Sequence, residues 1–234
     1  MQSTLKLVDT SVGKKAIIGA TGALLFGFVV VHCLGNALIL FALIDPAMGQ
    51  SALNEYGEML HAIPELLWGA RIVLLGSVVT HIALTVQLAS QNAGARSSRY
   101  KKPVEGTDQG ILQRYARQTM IWSGPILALY IVFHLAHLTV GVNLPIAGYE
   151  YEYLHPYENM IGSFRAPWVS AIYIAASLFL GLHIYHGGQA VLSSLGLRHP
   201  NWDGRTRPGA MAIAVVVTLV NVSIAILAST GLLG

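Results

Sequence analysis

Five stretches of this chain are apolar for long enough to cross a bilayer, and nothing else in the sequence constrains the fold as strongly. A spanning helix needs about 20 mostly apolar residues. The stretches run over about residues 16–43, 66–89, 120–142, 167–192 and 209–233. They are too long, and too free of apolar–polar alternation, for barrel strands. The first has about twice the apolar length of a signal-peptide core, so it is read as a span and not as a cleavable signal. The expected fold is all-α and integral to the membrane, a single membrane domain over residues 1–234 with five transmembrane helices. Charged residues make up 11% of the chain. A soluble domain carries roughly a quarter. That composition excludes a soluble enzyme, a disordered chain and a nucleic-acid binder.

Lysine and arginine predict the orientation, because positive residues stay on the cytoplasmic side. The N-terminus and the loops 90–119 and 193–208 hold Lys6, Lys14, Lys15, Arg96, Arg99, Lys101, Lys102, Arg114, Arg117, Arg198, Arg205 and Arg207. The loops 44–65 and 143–166 and the C-terminus have only Arg71 and Arg165 nearby. They carry instead Asp45, Glu55, Glu58, Glu65, Glu150, Glu152 and Glu158. The N-terminus is therefore expected inside and the C-terminus outside. The net charge of +3 reads as a topology signal, with a basic inner face for lipid or a partner. Trp68, Trp122 and Trp168 each sit just inside the start of a span, and Tyr149, Tyr151, Tyr153 and Tyr157 crowd an outer loop. An interfacial aromatic belt accounts for both sets.

Nine histidines carry the chemistry. His61, His155 and His199 fall in loops. His32, His81, His134, His137, His183 and His186 fall inside spans, where ionisable side chains are costly and tend to mark function. One such histidine is readily explained as a neutral side chain bonded to a neighbouring helix. At least one in each of the first four spans is not. Depth is regular too. His32 lies 17 residues after Lys15, His81 16 after Glu65, His134 17 after Arg117 and His183 18 after Arg165. At 1.5 Å per residue this is about 26 Å, in a bilayer of about 40–45 Å with headgroups. Alternate helices enter from opposite sides. His32 and His134 are therefore expected in an outer layer, and His81 and His183 in an inner one.

An internal repeat points the same way. His32 to His81 and His134 to His183 are both 49 residues. His81-Ile82 with Gln87 matches His183-Ile184 with Gln189, whereas the first and third spans match only at the histidine. The chain reads as two helical hairpins in parallel orientation. Two facing neutral imidazoles in an apolar bundle suit haem iron, with both axial positions filled and electron transfer as the result. The small residues Gly19, Gly22, Gly27, Gly35, Gly76, Gly181, Gly187 and Gly188 serve helix approach and leave room for a macrocycle. Zinc usually wants four convergent ligands, often carboxylates or thiolates. The single Cys33 excludes an intrachain disulfide, a cysteine-ligated iron–sulfur cluster and covalent haem at Cys-x-x-Cys-His. His137 and His186 follow His134 and His183 by three residues, on nearly the same face, and either member could bind iron. The shared pattern favours His183 and, by symmetry, His134.

Several motifs resemble a known family. They are Gly13-Lys14-Lys15, His32-Cys33-Leu34-Gly35-Asn36, Arg71 through His81, Phe133-His134-Leu135-Ala136-His137-Leu138-Thr139, Leu182-His183-Ile184-Tyr185-His186-Gly187 and Leu195-Gly196-Leu197. Their order along essentially the whole chain resembles the membrane cytochrome b subunit of succinate dehydrogenase and fumarate reductase, in its five-helix, two-haem, single-subunit form. The resemblance implies two haem b groups in a bundle of the first four helices. Their axial ligands would be His81 and His183 for the inner haem, and His32 and His134 for the outer. His137, His186 and Arg71 are secondary candidates for cofactor contacts.

The resemblance also implies a flavoprotein subunit and an iron–sulfur subunit docked on the cytoplasmic face of a bacterial-type inner membrane. It implies a quinone, expected to be menaquinone, near the outer haem. Electrons would pass from succinate to quinone, or backwards to fumarate, and this chain alone has no dicarboxylate chemistry. Glu55, Glu58 and Glu65 are the candidates for proton exchange with quinone, though a solvated acidic loop explains each of them as well. Two other readings remain: a di-haem cytochrome b serving another dehydrogenase or a hydrogenase, and a histidine-rich transporter without haem, for which Pro125 is the clearest break inside a span.

Overall fold

A computed structural model of the chain describes residues 9–94 and 111–234. Arg96, Arg99, Lys101, Lys102 and Lys6 of the expected basic face lie outside the described residues. Among the described residues the structure is helical and has no strand. Helix α1 spans Ser11–Asn36 and runs on as a 3₁₀ segment, Ala37–Leu43. Then come α2 (Pro46–His61), α3 (Pro64–Gly94), α4 (Ile111–His134) and a π-helical turn, Leu135–Val140. Helices α5 (Pro156–Phe164), α6 (Pro167–Ser194) and α7 (Pro200–Ser229) complete the chain.

Five of these helices begin at a proline: Pro46, Pro64, Pro156, Pro167 and Pro200. Proline lacks the N–H that a first turn leaves unbonded, and its φ is already helical. Side chains cap three starts. Thr10 accepts from Gly13 N at 3.0 Å, Asp45 from Ala47 N at 2.9 Å and His199 from Asn201 N at 3.2 Å. The π turn ends at Gly141, whose φ of +76° suits only glycine, and a Cβ there would strike the Tyr151 ring.

The five helices long and apolar enough to cross a membrane are Ser11–Leu43, Pro64–Asn92, Trp122–Val140, Pro167–Ser194 and Gly204–Ser229. They mark a multi-pass membrane protein, with the number of spans expected. Boundaries shift by several residues, as at the last helix. The last helix starts at Pro200 and carries Pro208 inside it, because the His199 cap and Pro200 nucleate it upstream of the apolar run. It stops at Ser229, where Leu232 N returns to Leu227 O at 3.0 Å around Gly231. The expected loops over 44–65 and 143–166 are also corrected. They contain α2 and α5, so His61 lies on a helix and His155 immediately precedes one.

Helix α6 is the centre of the bundle. Its span is 44% buried, against 6% for α3, and it packs on α1, α4 and α7. Helix α1 also packs on α3. Large apolar side chains such as Ile72 and Leu129 face outward along the spans. At one end of the bundle α2 and α5 form a cap. Glu158 on α5 accepts from Gln50 Nε2 at 2.5 Å and Asn54 Nδ2 at 2.9 Å, and Asn54 Oδ1 accepts from Tyr157 N at 3.1 Å. Beneath this layer lies an apolar cluster that includes Ile39, Leu53, Phe164, Val169 and Ile224. The chain's last residues fold onto the cap, where Tyr157 OH donates to Leu233 O and Arg165 Nη2 donates to Gly234 O. The opposite end carries Lys14, Lys15, Arg198, Arg205 and Arg207 at or near helix ends.

Candidate functional site

Two histidine pairs cross the bundle. The rings of His32 on α1 and His134 on α4 have centroids 5.8 Å apart at 81°. Those of His81 on α3 and His183 on α6 are 6.4 Å apart at 61°. These are the partners that the depth count expected. Among the described residues neither α1 with α4 nor α3 with α6 is a closely packed helix pair. Each histidine pair therefore reaches across a gap that the backbones leave open. The first pair lies at the capped end of its helices, since His134 is the last residue of α4 and Asn36 ends α1.

Neighbouring side chains orient each ring. Phe28 stacks on His32 at 5.2 Å and Tyr130 stacks on His134 at 5.7 Å, each one turn earlier on the same helix. On the Nδ1 side, His81 meets Thr21 Oγ1 at 3.2 Å, His183 meets Ser123 Oγ at 3.4 Å and His134 meets Tyr173 OH at 3.3 Å. A partner on Nδ1 of this kind fixes the ring and directs Nε2 into the gap.

These supporting residues were missed by the reading of the sequence, yet a signal for them exists. Thr21-Gly22, Phe28 and His32 recur 102 residues later as Ser123-Gly124, Tyr130 and His134. The first and third spans therefore share more than their histidine. The match is of residue class rather than identity, which hides it from a comparison of letters.

His137 takes another place. It is fully buried in the π turn, its Nδ1 is 2.9 Å from Tyr173 OH, and its ring meets Tyr149 edge-on at 6.2 Å. Its Nε2 and the Tyr149 hydroxyl are buried without a hydrogen-bond partner among the described residues. A π turn often marks a functional site. His186 lies one turn beyond His183 on α6, and the ring that meets His81 is that of His183.

The carboxylates chosen from the sequence lie at the capped end of the bundle. Glu55 and Glu58 sit on α2 and Glu65 in the first turn of α3, all exposed. Ser51 Oγ donates to Glu55 at 2.5 Å. Arg71 lays its guanidinium over Trp68 at 5.1 Å. The carboxylate bound into structure at this end is Glu158. Burial works to raise its pKa, but the Asn54 and Gln50 bonds and the nearby His155 outweigh burial and hold it below the ordinary range. Burial pushes the Tyr149 and Tyr151 hydroxyls up.

The glycines divide. A Cβ on Gly19, Gly35, Gly181 or Gly188 would press on a neighbouring helix, and one on Gly22 would lie 3.2 Å from His81 Cε1. Gly27, Gly76 and Gly187 face open space. The first group serves close approach, and the second leaves room beside the histidines' helices.

Comparisons with protein-family models, curated proteins and solved structures find no match. A metal midway between imidazoles, about 2 Å from each nitrogen with the ring centre about 1 Å further, sets the ring centres about 6 Å apart. Both pairs have that spacing. Among the described residues no third His, Cys, Asp or Glu completes a set of three. Each pair thus offers two nitrogen donors, which suits a metal whose other bonds belong to a macrocycle.

Proposed function

We propose that this chain is the di-haem cytochrome b membrane anchor of a succinate:quinone oxidoreductase. The pairing of His32 with His134 and of His81 with His183 carries the reading. These four residues would hold two haem irons. When bound, haem supplies one-electron oxidation and reduction.

The chain's own residues supply the setting. Four side chains on four helices would hold the two groups. Neutral imidazoles avoid placing a charge in an apolar interior, where it would be costly. Thr21, Ser123 and Tyr173 hold three of the rings by Nδ1. With two protein ligands on each iron, the sites are suited to electron transfer rather than to oxygen binding.

The end carrying Lys14, Lys15, Arg198, Arg205 and Arg207 is the cytoplasmic face, by the positive-inside rule. It is the surface for an iron–sulfur subunit and a flavoprotein subunit. Quinone, menaquinone in kind, is taken at the capped end beside the exposed Glu55, Glu58 and Glu65.

The test is a reduced-minus-oxidised spectrum with haem quantitation on the purified complex, together with identification of the subunits that copurify. About two b haems per chain are expected. His81→Ala should fall towards one. A folded wild-type protein without haem overturns the reading. A di-haem protein copurifying with a hydrogenase would keep the cytochrome and replace its partner.

A further inference from the structure

Thr21 and Ser123 make the same contact in the two halves of the bundle. Thr21 on α1 meets Nδ1 of His81 on α3, and Ser123 on α4 meets Nδ1 of His183 on α6. Both contacts span 60 residues. Serine and threonine in apolar helices commonly bond back to their own helix. Back-bonding does not explain why the same oxygen meets a histidine of the next helix in both halves.

The hydroxyl proton decides the direction of the bond. Thr21 donates to Ile17 O at 2.8 Å, with Ile18 O at 3.2 Å. A hydroxyl has one proton and two lone pairs. Towards His81 the oxygen is therefore the acceptor, and Nδ1 carries the hydrogen. That leaves a bare lone pair on Nε2, on the side of the ring away from Thr21. Ser123 likewise lies between its own helix and the histidine, at longer distances, 3.5 Å to Met120 O and 3.4 Å to His183 Nδ1. It is fully buried, so water does not compete for its oxygen. Gly22, next to Thr21, keeps the backbone clear for the approach of the His81 ring.

We propose that Thr21 and Ser123 are paired positioning residues that fix the tautomer and ring angle of His81 and His183 and strengthen both as metal ligands. The proposal rests on the di-haem reading. A hydrogen bond from Nδ1–H makes the opposite nitrogen a stronger donor. Stronger donation favours oxidised iron and lowers the reduction potential of that haem. In the other pair, among the described residues, only His134 has such a hydroxyl, from Tyr173, and His32 rests on Phe28. The two haems would therefore differ in how their ligand rings are held.

The test is a redox titration of the purified complex, with low-temperature EPR, on Thr21→Val, Ser123→Ala and the double variant. Each single variant should keep both haems and raise the midpoint potential of the His81–His183 haem. The double variant should raise it further, with the other haem unmoved, and Thr21→Ser should restore the wild-type value. Selective loss of the His81–His183 haem would support the same role. An unmoved potential and EPR spectrum in the double variant overturn the proposal and leave the di-haem reading standing. Wild-type protein without haem overturns that reading instead. In that case ¹⁵N NMR of the histidines should still show His81 protonated at Nδ1, a preference lost in Thr21→Val. No change in that signal overturns the proposal on its own.

Discussion

The hydroxyl of Tyr173 lies 2.9 Å from Nδ1 of His137 and ties the buried ring of the π turn to α6. The same oxygen is 3.3 Å from Nδ1 of His134, whose ring continues across the bundle to His32. One residue on α6 thus gives two histidines three positions apart different surroundings. His134→Ala should remove one haem per chain, and His137→Ala should retain both. Haem quantitation on the two purified variants checks this. Loss of a haem from His137→Ala, with both kept in His134→Ala, would reverse the assignment.

Gly22 and Gly124 occupy equivalent places in the repeat but not equivalent space. A methyl at Gly22 meets His81 Cε1 at 3.2 Å, whereas one at Gly124 meets nothing within 4 Å. Gly22→Ala should therefore disturb the EPR spectrum of the His81–His183 haem. Gly124→Ala should leave both haems unchanged and stabilise α4 by about 0.5–1 kcal/mol, the usual gain in a helix interior. Thermal unfolding in detergent and EPR read the two effects. Equal spectra for wild type and Gly22→Ala would show that the contact does not constrain the ring.

Glu158 joins α5 to α2 as a carboxylate. Its folded pKa is depressed, so its contribution is present above the ordinary carboxylate range and is lost as the pH falls through the lowered folded value. The melting temperature should fall on acidification below that range. Glu158→Gln should lower stability at neutral pH by roughly 1 kcal/mol and flatten the acid limb. The measurement is the pH dependence of thermal unfolding in detergent. A wild-type acid limb that survives intact in Glu158→Gln would assign it to other groups.

Glu55, Glu58 and Glu65 are exposed at the capped end. Alanine at each should leave haem content at the wild-type level. If one of them exchanges protons with quinone, quinone turnover falls in that variant alone. Normal turnover in all three would remove these residues from the proposal and leave the haem ligands untouched.

The five spans were legible in the sequence because hydropathy is a local property and a helix has a fixed rise. The same reasoning predicted the depth of His32, His81, His134 and His183, since counting residues from a charged mouth measures distance along an axis. The helices α2 and α5 were not legible. Their sequences are of mixed polarity, and they are held by contacts 103 to 108 residues apart, such as Gln50 to Glu158 and Tyr157 to Asn54.

Periodicity placed His134 and His137 on one helix face and could not separate them. The π turn and a tyrosine from α6 separated them, and both depend on how helices pack. The roles beside Thr21 and Ser123 were hidden for a similar reason. A hydroxyl in an apolar helix has a partner within its own turn, and only the approach of a second helix shows where its other lone pair goes. Sequence alone determined how many spans there are and how far along each span its histidine lies, because both follow from distances along a chain. Tertiary structure decided which histidines face each other and which side chains orient them, because both depend on contacts between helices.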